Sequence, residues 1–243
     1  MPDQPLAQRQ AEAFFRERKY AEALDLYRTL HVETGEDKYL YNVAICQYYL
    51  SRIGDAAAIL ERLWSSRSLA PDTGLFLGFC YRALNQLGRG RQHFQLMSQE
   101  LSGAVRARCR LMVALLTDEN GDTAGAETAY EDLLTDSDVA GKNRAEVCRR
   151  LATLTENKKD HLKALRLYRE SLTHDPEGES ALAAKFRIAV CLIDLSTPAE
   201  SIDLLREVET AAHGTFLGES ASKLRRAVES NQKRMEKKIQ SYE

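Results

Sequence analysis

Small and large apolar positions recur along the chain at a spacing suited to a helix. In ALRLYRESL, Ala164 and Tyr168 stand four apart and share one helical face. The tract HDP ends that helix, because Pro176 cannot continue it and restricts the residue before it. The same pairing of a small residue with an aromatic four later occurs at Ala23 and Tyr27, at Gly90 and Phe94, and at Ala126 and Tyr130. Two further segments keep only the first member of the pair, Ala57 before Glu61 and Ile202 before Arg206. The six anchors at 23, 57, 90, 126, 164 and 202 are separated by 34, 33, 36, 38 and 38 residues.

A helical stretch precedes each anchor. LGFCYRAL is the clearest, and YLYNVAICQYYL and AKFRIAVCLIDL hold the same register. Turn signals separate the halves, among them SRIGD, NQLGRG, DENGD, ENKKD and LSTP. Helix formers dominate from end to end, and no long run is rich in Val, Ile and Thr, so the fold class is all-α. Self-similarity at this period predicts stacked helix pairs, each stabilised by its neighbours. The last pair then needs a lid. Leu217, Ala221, Leu224 and Val228 form the apolar stripe of an amphipathic helix whose other face, SKLRRAVESNQKRMEKK, is strongly charged, and this predicts a capping helix running on to about Ser241.

Leu77-Gly78-x-x-Tyr81 in a first helix, and Ala164-x-x-x-Tyr168 followed by Pro176 in a second, resemble the tetratricopeptide repeat (TPR) family. The resemblance implies an α-α superhelical solenoid of about six helix pairs. The units begin near Gln4, Lys38, Pro71, Ala107, Ala145 and Ala183, so that residues 1–216 form the array and 217–243 the C-terminal cap. The small residue lets the second helix approach the first to roughly 8–10 Å between axes, and the aromatic fills the wedge against the next unit.

Composition narrows the function. The 34 basic and 36 acidic residues leave a net charge of -2, so no nucleic acid is expected as a partner. Nothing approaches 18 consecutive apolar residues, which leaves no membrane span. The N-terminus has no basic start leading into an apolar run, so no secretory signal is expected. Five cysteines (Cys46, Cys80, Cys109, Cys148, Cys191) lie far apart, with no CxxC or Cys/His cluster, so the reading is packed thiols in a reducing compartment and no metal. A cytoplasmic location follows.

Chemistry is sparse. Asp72-Thr73-Gly74 matches the tripeptide of aspartic proteases, but it occurs once and opens a helix, so Asp72 or Thr73 is expected to be an N-cap. DENGD lacks the glycine and glutamate positions of a calcium loop, and GRGRQH lacks the third glycine and the strand of a phosphate cradle. Five histidines (His31, His93, His161, His174, His213) are scattered, and nothing pairs a nucleophile with a base. The chain is therefore expected to be no enzyme and to carry no cofactor.

The resemblance places partner binding in a groove lined by the first helices. It carries over to Tyr39, Asn42, Tyr49, Leu75, Phe79 and Arg82 as an apolar, aromatic half. Arg108, Arg149 and Arg187 form a column of cations, with Asp118, Glu156 and Asp194 one or two turns on. TPR domains that grip chaperone C-terminal carboxylates need Lys, Asn and Arg at positions held here by Gln8, Glu12, Val43, Asp72 and Phe76, so that role is not expected. The expected function is a scaffold or adaptor holding a peptide or helix of a larger assembly. The alternatives are a regulatory sensor of a peptide or small ligand, and a secretion-type chaperone. The C-terminal helix, with Arg225, Arg226, Lys233, Arg234, Lys237 and Lys238 against Glu229 and Glu236, is a second candidate surface, for self-association or an anionic partner.

Overall fold

The computed structural model describes residues 6–240; the expected first-unit start at Gln4 and the end near Ser241 lie outside them. The described residues hold thirteen α-helices and no strand. They are α1 (Leu6–Arg16), α2 (Tyr20–Thr34), α3 (Asp37–Tyr49), α4 (Ile53–Ser65), α5 (Asp72–Ala83), α6 (Leu87–Glu100), α7 (Gly103–Glu119), α8 (Thr123–Thr135), α9 (Gly141–Asn157), α10 (His161–His174), α11 (Ala181–Asp194), α12 (Pro198–Ala211) and α13 (Phe216–Gln240). The chain divides into two compact units, residues 1–122 and 123–243. Within each unit every helix packs on its neighbours in sequence, with α3 also reaching α5 in the first unit and α11 reaching α13 in the second. That neighbour-only packing is what a stacked repeat dictates.

One turn recurs. A residue with a left-handed φ ends the helix, and the amide after it donates to a carbonyl five residues back. The positions are Arg18, Ser51, Asn85, Gly121, Lys159 and Ser196, with φ of 61°, 61°, 56°, 87°, 66° and 61°. The bonds run from Lys19, Arg52, Gln86, Asp122, Asp160 and Thr197 to Phe14, Gln47, Tyr81, Thr117, Thr155 and Leu192. This is the left-handed helix stop usually given to glycine. Only one of the six is glycine.

The turn supplies a register independent of side-chain type. Five residues after it stand Ala23, Ala56, Gly90, Ala126, Ala164 and Ser201, every one buried. Four residues further stand Tyr27, Leu60, Phe94, Tyr130, Tyr168 and Leu205, all at most 4% exposed. The anchors read at Ala57 and Ile202 are therefore each one residue late. In those two copies a leucine, not Glu61 or Arg206, fills the wedge, since a charged group has no place in a dry helix–helix seam. The buried Ser201 hydroxyl donates to the Pro198 carbonyl at 2.6 Å, which makes a polar side chain tolerable in the small slot. Seven residues before each turn stand Ala11, Ala44, Gly78, Ala114, Ala152 and Ala189, also buried, so small residues line both helices of a pair.

Two of the three longer spacings share a cause: α7 and α9 each run 17 residues, against 13 and 12 in α3 and α5, so the added residues extend a first helix by about one turn. In the last spacing α11 runs 14 residues, and the added length lies in the connection between His174 and Ala181. The cap is present as α13: Ala221 is fully buried against Ala189, Leu205 and Val208, with Leu217 and Leu224 packed beside it. At Asp72-Thr73-Gly74 the expected cap is displaced by one position. Pro71 takes the N-cap, Asp72 is the first helical residue, and the buried Thr73 hydroxyl donates to the Ser68 carbonyl at 3.0 Å. No helix of the described residues is long and apolar enough to cross a membrane.

Candidate functional site

In the first unit, three successive first helices, α3, α5 and α7, share a groove of about 340 Å³. The α5 side of it is set by helical spacing: Asp72, Leu75, Phe76 and Phe79 fall at i, i+3, i+4 and i+7, one face of the helix. Tyr41, Tyr48 and Tyr49 come from α3, and Arg108 from α7. A second opening, lined by Arg82, Asn85 and Glu119, shares Tyr48 and Phe79 with the first, so the floor is continuous.

That floor is a chain of rings. Tyr20 stacks on Tyr49 at 4.7 Å between centroids, Tyr49 meets Tyr48 edge-on at 5.7 Å, Tyr48 meets Phe76 at 6.1 Å, and Phe76 meets Phe79 at 6.0 Å. Tyr41 leans on Phe76 at 6.0 Å. Edge-to-face pairs at these distances are attractive beyond their buried area, which holds the rings in place without a ligand. Tyr49 is still 48% exposed. Burial, and then the charge of Asp72, push the Tyr41 hydroxyl well above the ordinary phenol range, so it stays protonated and can donate.

The rim carries the charge. Arg82 donates through Nε to Glu119 at 2.9 Å and through a second nitrogen to the same carboxylate. Arg108 lies over the Phe79 ring, 5.5 Å from its centroid, a cation–π contact.

The nine positions expected to line a groove fall into different settings. Tyr49, Leu75, Phe79, Arg82 and Arg108 come together around this groove in the first unit. Tyr39 does not. It is 2% exposed in the core with Ala11 and Tyr27, and its hydroxyl donates to Gln8 at 2.9 Å. Asn42 is half-buried on α3 and lines neither opening. Arg149 and Arg187 belong to the second unit, and each already holds a carboxylate. Arg149 donates to Glu146 at 3.0 Å and Arg150 joins it there at 2.8 Å. Burial raises the Glu146 carboxyl, and the two guanidinium groups more than offset this, leaving it below its ordinary value. Arg187 donates to the buried Glu156 at 2.9 Å, which also accepts from the Tyr168 hydroxyl at 2.9 Å. Of the three cations in the expected column, Arg108 alone is left without a carboxylate among the described residues. Tyr41 and Tyr48 are not expected in the groove from sequence, and Phe76 enters there only as a mismatch to the chaperone-tail pattern, although 41 and 48 stand seven apart and 76 shares a face with 79.

Other candidate chemistry is quiet. All five cysteines are free and fully buried. Burial pushes the thiols of Cys46, Cys80 and Cys148 up to about 12 and those of Cys109 and Cys191 up to about 11, so none is a ready nucleophile. Among the described residues no group of three or more His, Cys, Asp or Glu is arranged to hold a metal ion. On α13, Met235 and Ile239 are 62% and 59% exposed beside a shallow apolar opening with Ile193, Pro198 and Val228, and Arg226, Lys233 and Lys237 line a separate basic one.

Neither a protein-family model nor a curated protein matches the chain. Solved structures do. The apo form of the quorum sensor NprR from B. thuringiensis superposes with a TM-score of 0.72 at 15% identity, covering 90% of this chain and 67% of that one. PilF of Pseudomonas aeruginosa superposes with a TM-score of 0.71 at 11% identity, covering 89% and 95%. TTC0263, a thermophilic TPR protein of Thermus thermophilus, gives 0.53 at 20% identity over 77% and 97%. The fold is therefore the all-α, TPR-like helical solenoid that the repeat pattern predicts.

Proposed function

We propose that the chain is a non-catalytic protein-binding module, a scaffold or adaptor that holds a segment of a partner in the groove of α3, α5 and α7. The observation that carries this reading is the ring chain that starts at Tyr20 of α2 and runs through Tyr49 and Tyr48 of α3 to Phe76 and Phe79 of α5, in a groove that Arg108 of α7 closes. Aromatic side chains fixed by one another and still open to solvent supply contact area at little further ordering cost, the property that concentrates binding energy at interfaces. The TPR-like fold agrees with it, since stacked helix pairs present such faces and little else. The five free, buried thiols favour a reducing, cytoplasmic setting. Arg149 and Arg187 are not retained in the proposed contact set, because Glu146 and Glu156 already hold them.

A second reading, a sensor that changes conformation on binding a peptide, is favoured by the fold shared with NprR. The two part on compactness. A scaffold keeps its small-angle scattering profile when the partner binds, and a sensor contracts or extends.

The test replaces the floor and leaves the core alone. The Tyr49→Ser/Leu75→Ser variant should keep the helicity of the wild type and lose the partners that the wild type retains in affinity capture. Partners kept by this variant, and lost only when Arg226, Lys233 and Lys237 are reversed to Glu, would move the working surface to α13.

A further inference from the structure

The groove has an electrical direction, and it defines the segment that fits. Two charged side chains on its rim are uncommitted. The Asp72 carboxylate makes no hydrogen bond or ion pair with any described residue, and Arg108, over the Phe79 ring, has no carboxylate partner among them. The other rim charges, Arg82 and Glu119, neutralise one another. Asp72 heads the α5 stripe and Phe79, beneath Arg108, ends it seven residues later. Two helical turns separate them, about 10 Å along the axis at 1.5 Å per residue. Leu75 and Phe76 lie between. In order along α5 the surface thus offers a carboxylate, an apolar floor and a guanidinium.

Resting on the groove reading above, we infer that the partner is a protein segment with a basic and an acidic residue about 10 Å apart and apolar side chains between them, its basic residue on Asp72 and its acidic residue on Arg108. In an extended segment, at about 3.3 Å per residue, that spacing is three residues. The Arg108 guanidinium, placed over the Phe79 ring 5.5 Å from its centroid, suits a two-pronged carboxylate contact better than a lysine would. For a segment laid in a given direction, the order of charges also excludes: the reversed sequence sets like charges together at both ends.

A phage-displayed random twelve-residue peptide library, panned on the full chain, tests this. The wild type should enrich peptides with a basic residue, apolar residues and an acidic residue in one fixed order. Each enriched peptide should weaken by about tenfold or more on Asp72→Lys or on Arg108→Glu alone. The Asp72→Lys/Arg108→Glu double variant should enrich the opposite order. Both residues are exposed, so these changes leave the packing intact. Enriched peptides that are apolar but indifferent to charge, and that bind the double variant as well as the wild type, would overturn the inference while leaving the groove as the site. Peptides that bind Phe79→Ser undiminished, or a library that enriches nothing, would overturn the groove reading with it. Should Phe79→Ser lose helicity, Leu75→Lys takes its place.

Discussion

At the scale of single residues, the turn that punctuates the repeat is built against local preference. Five of its six left-handed positions carry a side chain, although for an L-residue that conformation costs roughly 1 kcal/mol relative to glycine. Ser51 and Lys159 are exposed there, and neither side chain has a hydrogen bond or ion pair among the described residues to compensate the strain. Ser51→Gly and Lys159→Gly should therefore each raise the unfolding free energy by up to about 1 kcal/mol. Gly121→Ala, at φ 87° with open space around its Cβ, should lower it by a similar amount. Urea melts of the three variants decide the sign. His93 is a second residue whose setting has a measurable consequence. It is buried between Trp64 and Tyr81, with Nε2 2.9 Å from the Gly74 carbonyl. Burial lowers its pKa from the ordinary value near 6.5. The unfolded chain then binds the proton more readily than the folded one, so this contribution to stability is whole above pH 6.5 and is lost as pH falls from there toward the folded pKa. Wild-type stability, compared with that of His93→Gln, should drop over that window. Parallel pH profiles for the two proteins would remove His93 as the cause.

At the scale of elements, the helix pairs show how far the pattern could be read and where it slipped. Four anchors with an aromatic fourth residue gave the register directly. The two leucine copies did not, because Ala56, Ala57 and Ala58 in α4 are equally small and nothing local chooses among them. The turn chooses, but Ser51 and Ser196 carry no sequence mark of a left-handed stop. Tyr39 was placed in the groove for a related reason: facing inward toward α1 or outward to solvent depends on packing beyond the helix's own periodicity. The rings that do line the groove belong to aromatic-rich first helices, in which core and surface residues share a composition. One pair is also exceptional. Gly78 stands where the other pairs have alanine, because Phe94 fills the space: a Cβ there would lie 2.3 Å from Cζ of that ring. Phe94 is fully buried and cannot withdraw. Gly78→Ala should therefore cost about 1–3 kcal/mol, although five sister positions hold alanine without difficulty. In Gly90→Ala the one tight approach is to the end of Leu116 at 3.2 Å, with Tyr81 Cβ and the Gly78 carbonyl at ordinary contact distances of 3.5 and 3.6 Å, and the gain in helix propensity should leave it neutral or stabilising. Adding Phe94→Leu to Gly78→Ala recreates the Ala44–Leu60 and Ala189–Leu205 pairs, and part of the loss should return. A double variant no better than the sum of its single changes would show that the ring is not the obstacle.

At the scale of the whole molecule, a repeat stack is only as stable as its ends, and the two parts of α13 have separate tasks. From Leu217 to Val228 the helix closes the last pair, with Ala221 and Val228 buried and Leu217 and Leu224 against Leu205 and Val208. Arg225 secures it, donating to Glu209 at 2.8 Å and to Glu229 at 2.9 Å, with Ser222 on the same Glu209 carboxylate at 2.6 Å. Beyond Ser230 every described residue except the half-buried Gln232 is exposed, and Met235 and Ile239 remain more than half exposed. Ending the chain at Ser230 should thus leave the melting temperature within about a degree of the full chain, since exposed surface residues contribute little to folding. Ending it at Thr215 should uncover Leu205, Val208 and Ala189 together. In a stack where each pair leans on the next, fraying from that end should broaden the transition as well as lower it. A chain ending at Ser230 that melts markedly earlier would mean that Met235 and Ile239 are covered in solution. A sedimentation experiment on the full chain would then show whether the cover is a second copy, and with it whether the self-association expected of this helix takes place.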